Sequence, residues 1–403
     1  MSPMSPMRPM GLMRLIGPIR PISLIGLIIL CLTLVSCGGG GDDLGAPMTE
    51  APNDELVPIT FSGSEGAEAA VTRADGSPLS EVATRFQVWG YKNMTSETQK
   101  VFPCYQVDWH ANSAATTTTN TNNWEYIGTV AEQTIKFWDW SAQAYRFFAA
   151  TGFDKEAAVP ATPAGYDAYK SYGAYGPGET TYSVSMLANA TNATEMAKSP
   201  YFSRLWYSTG NPTYYPDKQF GKPVTLEFVK PYTRVRFIYT YVYPREAIVL
   251  RDQKFRPSVD VEAAEGDKIK IVRKSIVTVT YPLSGVNTQE SYSTVPDEDK
   301  STRLEAFTED YDPEVKSKEY TTCDGGWYTV APNVSQGSYT LTVSINGDVK
   351  TAVVPAAYMQ WKPGYSYTYV FKITDKGGIE VGWVEYAVVP WSEMAGDRDV
   401  YNW

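Results

Sequence analysis

The chain has 403 residues, with 35 basic, 45 acidic and one histidine, and a net charge of −10 at neutral pH. A chain of this length can bury a large core and favours two domains. Its negative charge argues against nucleic acid as a partner.

Residues 1–36 have the pattern of an export signal. Three arginines precede an apolar run, 22–35, which is shorter than the roughly 20 residues that a membrane span needs. Cys37 follows this run closely, in a sequence similar to a bacterial lipobox, which predicts that the cysteine carries a lipid. The alternative is an ordinary secretory signal. Glycines and aspartates follow, so 37–55 is predicted to be a flexible tether.

The rest of the chain has the pattern of an all-β protein. Short runs rich in β-branched and aromatic residues alternate with Gly, Pro, Asn and Asp. Strands are predicted at 82–91, 224–229, 233–243, 269–281, 326–330, 338–345, 350–354, 365–374 and 379–389. Asn346-Gly347 and the stretch 375–378 predict hairpin turns. Short strands with one polar face favour antiparallel β-sandwiches.

The stretch 134–150 is the most aromatic part of the chain. Two runs, 135–140 and 144–150, flank a polar break and are predicted to be adjacent core strands, because flat side chains pack well on a pleated sheet. A boundary in the Pro- and Gly-rich stretch 210–223 divides the chain into an N-terminal domain, 56–222, and a C-terminal domain, 223–403. Residues 151–200 are predicted to be irregular, with a small helix or two.

The sequence offers little support for a catalytic or metal-binding site. A lone His110 cannot build a histidine-rich zinc site or a recognisable catalytic triad, so no enzyme activity, cofactor or metal is predicted. Cys104 and Cys323 lie far apart without a CxxC pattern; one disulfide between them and two free thiols both remain open. Exposed tyrosines such as Tyr172 and Tyr175, predicted on loops, could stack on sugars, although most aromatics in a β-sandwich are core.

Several motifs occur in an order that resembles a known family. They are the lipobox at Cys37, Leu56-Val57-Pro58-Ile59-Thr60-Phe61, Val71-Thr72-Arg73-Ala74, the strand at 82–91, Lys136-Phe137-Trp138-Asp139-Trp140-Ser141-Ala142, Tyr145-Arg146-Phe147-Phe148-Ala149, Val224-Thr225-Leu226-Glu227-Phe228, Tyr232-Thr233-Arg234-Val235-Arg236-Phe237, Pro363-Gly364-Tyr365-Ser366-Tyr367 and Val389-Pro390-Trp391. In this order they resemble the fimbrillin-like lipoproteins of Bacteroidetes, or type V pilins. The chain departs from the family at Val229-Lys230, where a histidine is common.

The resemblance implies a fold of two transthyretin-like antiparallel β-sandwich domains in tandem. It also implies a stalk, tip or accessory subunit of a surface fimbrium, tethered to the outer membrane as a lipid-anchored precursor, with other pilin subunits as partners. An arginine-specific protease would cut after Arg73 and release the strand 56–61, and a neighbouring subunit would fill the groove with its C-terminal Val400, Tyr401 and Trp403. The alternatives are that Arg73 is an ordinary loop residue, and that the protein is a non-polymerising surface lipoprotein that binds a host glycan or protein.

Overall fold

The computed structural model describes residues 56–61, 71–73, 78–109, 124–242, 270–297, 301–303, 320–324, 327–335, 337–345, 348–374, 379–380 and 389–390. The strands are β1 (Val71–Arg73), β2 (Arg85–Asn93), β3 (Thr98–Trp109), β4 (Trp124–Glu125), β5 (Ala144–Ala150), β6 (Ser171–Tyr175), β7 (Thr181–Asn189), β8 (Phe202–Ser203), β9 (Trp206–Ser208), β10 (Leu226–Val229), β11 (Thr233–Val242), β12 (Lys270–Val272), β13 (Lys274–Pro282), β14 (Ser291–Pro296), β15 (Ser301–Arg303), β16 (Tyr320–Asp324), β17 (Tyr328–Val330), β18 (Tyr339–Ile345), β19 (Asp348–Val354), β20 (Tyr365–Thr374), β21 (Ile379–Glu380) and β22 (Val389–Pro390). One α-helix, α1 (Ala193–Lys198), follows β7. The prediction of an all-β fold is confirmed, as is the small helix within 151–200.

The largest sheet, sheet I, has eight strands in the order β1-β10-β8-β5-β2-β3-β4, with β9 also paired to β5. Its pairs are antiparallel except at the edge, where β1 runs parallel to β10. β5 is buried along its whole length, because both faces of sheet I are covered. This explains why its sequence is nearly continuously apolar, as expected for a strand with two buried faces.

Sheet II packs against one face of sheet I. Its order is β14-β13-β7-β6, all antiparallel. The core between the two sheets joins Trp89 and Phe148 of sheet I to Val184 and Tyr281 of sheet II. The rings of Phe148 and Tyr281 stack with their centroids 4.1 Å apart. Sheets I and II therefore form a β-sandwich.

The other face of sheet I carries a second core, which we call the aromatic core. Sheet I contributes Phe86, Phe102 and Phe147 to it. The cover consists of three segments, 56–61, 134–140 and 220–224, whose side chains pack among these rings. The aromatic core is therefore closed by single segments of chain that lie outside the named strands.

A third sheet lies in the C-terminal half. In sheet III, β11 pairs antiparallel with β16 and β17 and parallel with β20, and β20 pairs with β21 and β22. Two ribbons, β12–β15 and β18–β19, complete the described strands. In the second ribbon Ile345 pairs with Asp348, so the hairpin predicted at Asn346-Gly347 is confirmed by the pairing on either side of it.

The predicted domain boundary at 222/223 lies between strands that belong to the same sheets. β10 follows the boundary and pairs with β8, which precedes it, and β13 pairs with β7 along nine residues. Residues Glu55–Trp403 form one compact unit. The division into two tandem domains stays a prediction, and the hydrogen bonding does not separate the chain at 222/223.

Several predicted strand limits differ from those in the structure. β5 and β20 agree with their predictions, whereas the predicted strand 135–140 is wrong. That stretch is extended but makes only one isolated bridge, Pro58 with Phe137, because its neighbours are single segments and a turn begins at Asp139. The region 151–200, predicted to be irregular, contains β6 and β7.

Candidate functional site: the seated segment 56–61 and its groove

Segment 56–61, hereafter the seated segment, lies between two other stretches of chain. The Ile59 N–H donates to the Lys136 carbonyl (2.7 Å), and the Trp138 N–H donates to the Val57 carbonyl (2.9 Å). On the other side the Val224 N–H donates to the Thr60 carbonyl (2.8 Å). The seated segment is therefore held by backbone hydrogen bonds on both sides, like a short central strand.

Phe61 anchors the seated segment in the aromatic core. Its side chain is fully buried, as is that of Ile59. Four rings meet it edge to face, with centroid separations of 5.5–6.3 Å: Phe86, Phe102, Tyr126 and Phe147. Edge-to-face pairs at these separations add to the stabilisation that burial alone supplies. The space around Phe61 is therefore a pocket built for an aromatic ring, and we call it the Phe61 pocket.

Tyr126 links the seated segment to the stretch 134–139, which forms one wall of the groove that the segment occupies. Its hydroxyl accepts a hydrogen bond from the Lys136 N–H (3.2 Å) and donates one to the Ile59 carbonyl (3.0 Å). The side chain is fully buried, and burial raises the pKa of this phenol. The hydroxyl therefore remains protonated and able to donate at neutral pH.

Two further tyrosines hold the stretch 134–139, which forms this wall. The Tyr105 hydroxyl accepts from the Thr134 N–H (3.4 Å), and the Tyr145 hydroxyl accepts from the Asp139 N–H (2.7 Å). At the end of the wall, the Asp139 carboxylate forms an ion pair with Lys92 (2.5 Å). The wall is thus fixed to sheet I at both of its ends by side chains, and the Lys136 carbonyl and the Trp138 N–H between these ends bond to the seated segment.

The mouth of the groove is apolar and exposed. Leu56 is 68% exposed and Trp140 is 48% exposed. The Trp140 ring lies against Gly221, and Phe220 packs beside it with ring centroids 6.3 Å apart. Gly221 has a φ of +80°, and a Cβ there would come within 2.9 Å of the Trp140 ring. Glycine is therefore required at this position both by its backbone conformation and by the close approach of the ring.

Arg73, the predicted cleavage residue, ends β1 at the edge of sheet I. In the parallel register Thr72 lies opposite Glu227, and Arg73 lies opposite Phe228. Arg85 differs, because it begins the interior strand β2 and its guanidinium pairs with Asp108 (2.6 Å). Of these two arginines, Arg73 lies on the strand at the edge of the sheet.

Other predicted site residues lie outside the described part of the chain. These are the lipid attachment residue Cys37, the donor residues Val400, Tyr401 and Trp403, and His110. Cys104 is half-buried and free, and burial raises the pKa of its thiol to about 11. The backbone of Cys323 is described within β16, but its side chain is not.

The placement of Tyr172 and Tyr175 on loops is wrong, because both belong to β6. Tyr172 is buried, and its hydroxyl accepts from the Asp167 N–H, so it is unavailable to a sugar. Tyr175 is 38% exposed. Its hydroxyl hydrogen-bonds to that of Tyr91, and the Lys100 amine lies 4.4 Å from its ring centroid. Its partners are thus residues of the sandwich itself.

Sequence reasoning missed the groove wall and its tyrosines. Tyr126 follows a polar insert, and nothing in its neighbourhood indicates that its hydroxyl reaches Ile59, 67 residues earlier. A usable signal was the density of aromatics in 134–150, which marked this stretch as core. Within the described ranges, no group of three or more metal-binding side chains is found, and no helix has the length and hydropathy of a membrane span.

Comparison with known proteins gives structural similarities at low identity. No protein-family model matches the chain, and no curated protein matches it. A provisionally named cell adhesion protein from Bacteroides uniformis aligns over 82% of this chain and 96% of its own, with 14% identity and a TM-score of 0.28. One from Bacteroides eggerthii aligns over 79% and 86%, with 11% identity and a TM-score of 0.28.

A fimbrial assembly protein from Parabacteroides distasonis aligns over 79% of this chain and 89% of its own, with 11% identity and a TM-score of 0.27. Similarity at this level carries no functional conclusion. These three solved structures are thus two provisionally named cell adhesion proteins from Bacteroides and a fimbrial assembly protein from Parabacteroides.

Proposed function

We propose that the chain is a subunit of a bacterial surface fimbrium that assembles by strand exchange after cleavage at Arg73. The observation that carries the proposal is the seated segment: Ile59 and Phe61 are fully buried, yet they precede Arg73 in the chain. A cut after Arg73 would separate this segment from the rest of the chain. Only non-covalent contacts would then hold it.

Loss of the seated segment would leave a groove suited to another strand. The Phe61 pocket would be empty, and the Lys136 carbonyl and the Trp138 and Val224 N–H groups would lose their partners. β1 would leave as well and open the edge of β10. Unpaired backbone groups beside apolar pockets favour the addition of an extended segment from another chain, with hydrogen bonds supplying affinity and side chains supplying specificity.

The remaining steps of the proposal rest on the resemblance of the sequence to the fimbrillin-like lipoproteins. The proposed precursor is exported as a lipoprotein and held at the outer membrane through a lipid on Cys37. The incoming strand is the C-terminal segment of a neighbouring subunit, with Val400, Tyr401 and Trp403 as its apolar side chains. Tyr401 and Trp403 have the same spacing as Ile59 and Phe61, so both would point to the same side of an extended strand.

The test is limited digestion of the purified chain with an arginine-specific protease. We expect cleavage after Arg73, a new N-terminus at Ala74 by mass spectrometry, and ladders of polymers on unboiled gels. Arg73→Ala should abolish cleavage and polymers together. Arg85→Ala is the matched control and should still be cleaved and polymerise. A clipped chain that stays monomeric under these conditions would contradict the proposal.

A further inference from the structure

The hydrogen bonding between the seated segment and its wall departs from a regular antiparallel ladder. Pro58 pairs with Phe137, which places Ile59 opposite Lys136. The Ile59 N–H donates to the Lys136 carbonyl at 2.7 Å, which is one of the two bonds that residues in a hydrogen-bonded pair exchange. The second bond would run from the Lys136 N–H to the Ile59 carbonyl.

A side chain takes the place of this second bond. The Tyr126 hydroxyl lies between the two backbone groups, accepting from the Lys136 N–H at 3.2 Å and donating to the Ile59 carbonyl at 3.0 Å. Its ring is fixed by edge-to-face contact with Phe102 (5.2 Å) and Phe61 (6.1 Å). A buried hydroxyl with both bonds satisfied is costly to separate from its partners, because each would lose a hydrogen bond away from water.

We propose that the Tyr126 hydroxyl is a positioning group that retains the seated segment, so that its two hydrogen bonds set how readily the segment leaves the groove. The biological use of this retention rests on the proposed function, since slow release would delay polymerisation after cleavage. The retention itself is a property of the intact chain. It is therefore measurable without cleavage and without polymers.

The chain provides two matched controls for this role. The hydroxyls of Tyr105 and Tyr145 also accept from backbone N–H groups of the wall, at Thr134 and Asp139. Neither has a hydrogen bond to the seated segment in the described residues. Removing the Tyr145 hydroxyl weakens the wall by one bond of the same kind, and removing that of Tyr105, which also interacts with the Thr134 and Lys136 side chains, weakens it at least as much. Removing the Tyr126 hydroxyl also takes a bond from the seated segment.

Hydrogen exchange of backbone amides tests the proposal in the uncut chain, because exchange at Ile59 and Val224 requires the seated segment to open. We expect Tyr126→Phe to accelerate exchange at both amides by about tenfold. This factor corresponds to about 1.4 kcal/mol, the loss of the one buried hydrogen bond that the hydroxyl makes to the seated segment. Tyr105→Phe and Tyr145→Phe should leave these two amides within about twofold of the unmodified chain. Equal exchange in Tyr126→Phe and Tyr145→Phe would overturn the proposal.

A second measurement uses the unmodified chain, so the result does not depend on the folding of a variant. If one opening event exposes both groups, the Tyr126 hydroxyl proton and the Ile59 amide proton should have the same opening rate by NMR. A hydroxyl proton that opens at least tenfold faster than the amide would overturn the proposal. Neither measurement uses the polymer assay. A negative result for the role of Tyr126 can therefore be distinguished from a negative result for strand exchange.

Discussion

At the scale of single residues, Phe61 determines how strongly the groove holds its occupant. We expect Phe61→Ala to lower the free energy of unfolding by about 3–5 kcal/mol, because it empties a pocket lined by four rings. Phe137→Ala is the matched control on the wall: Phe137 is 37% exposed, so its loss should cost about 1 kcal/mol or less. Urea denaturation measures both, and similar losses would contradict an anchoring role for Phe61.

Asp139 makes the wall sensitive to acid. Hydrogen bonds from Lys92 and then from Ser141 lower the pKa of its carboxyl to about 2. A carboxyl whose pKa is lower in the folded state adds stability above its unfolded pKa of about 3.9, and this stability is lost as the pH falls towards 2. Because the pair is partly exposed to solvent, the gain at neutral pH is about 1 kcal/mol or less.

The corresponding experiment compares Asp139→Asn with the unmodified chain in urea at several pH values. The variant should unfold at lower urea at pH 7, and the difference should shrink between pH 4 and pH 2. The effects of all other titrating groups cancel in the difference between the two chains. A difference that is the same at pH 7 and pH 2 would show that Asp139 acts through its shape and not through its charge.

At the scale of the strand, Gly90 shows how closely sheet I is packed on the face of the aromatic core. A Cβ at Gly90 would lie 2.7–2.8 Å from the rings of Phe147 and Phe102. Both rings are buried, so they have little room to move. We expect Gly90→Ala to destabilise the fold by about 1–3 kcal/mol through overpacking.

Gly337→Ala is the control for Gly90→Ala, since a Cβ at Gly337 would meet nothing within 4 Å. It should change the stability by no more than about 0.5 kcal/mol. Thermal unfolding followed by circular dichroism distinguishes the two variants. An equal effect at both positions would argue against tight packing of the rings around Gly90.

Elements with local signals could be predicted from the sequence, and those that depend on distant partners could not. β20 was predicted because its aromatic residues alternate with polar ones. β7 was missed although Ser183 and Ser185 alternate with apolar residues, because the Pro and Gly residues of 151–200 predicted an irregular region and its partner β13 lies about 90 residues further along the chain. These serines hydrogen-bond across the pair to Thr280 and Thr278, a pairing that no local periodicity reveals.

The candidate site, too, could be predicted from the sequence only in part. The apolar segment 56–61 and Arg73 stood out in the sequence through their order, which resembles a family. The groove did not, because its wall, its tyrosines and Val224 come from stretches that lie up to about 160 residues beyond the seated segment. Tertiary contacts decided that 134–139 would serve as a wall and not as a strand.

At the scale of the whole molecule, Arg204 connects three parts of the chain. Its guanidinium pairs with Glu227 of β10 (3.1 Å) and lies 3.9 Å from Glu290, and it donates to the Tyr365 hydroxyl at the start of β20 (2.6 Å). We expect Arg204→Met to cost about 1–3 kcal/mol, because the largely buried Glu290 would lose a cationic neighbour.

Tyr365→Phe removes the hydrogen bond from Arg204 to sheet III but keeps the ring over which the guanidinium lies, 4.4 Å from its centroid, and should cost about 1 kcal/mol. The two variants, measured together by urea denaturation, separate the charge pairs from the single hydrogen bond. If Arg204→Met cost no more than Tyr365→Phe, the pairs with Glu227 and Glu290 would contribute nothing measurable.

The pairing of strands across 222/223 leads to a prediction about fragments. A fragment of residues 55–222 lacks β10 and the β13–β14 hairpin. β8 and β7 therefore each lose one of their two partner strands, and the core between sheets I and II loses Val279 and Tyr281. A fragment of residues 55–297 keeps all of these. We expect the longer fragment to unfold cooperatively in urea and the shorter one to show no cooperative transition. A stable, cooperative 55–222 fragment would instead mean that sheet I without β10, and the part of the aromatic core that precedes residue 223, suffice for folding. Position 222/223 would then be a true domain boundary despite the hydrogen bonds that cross it.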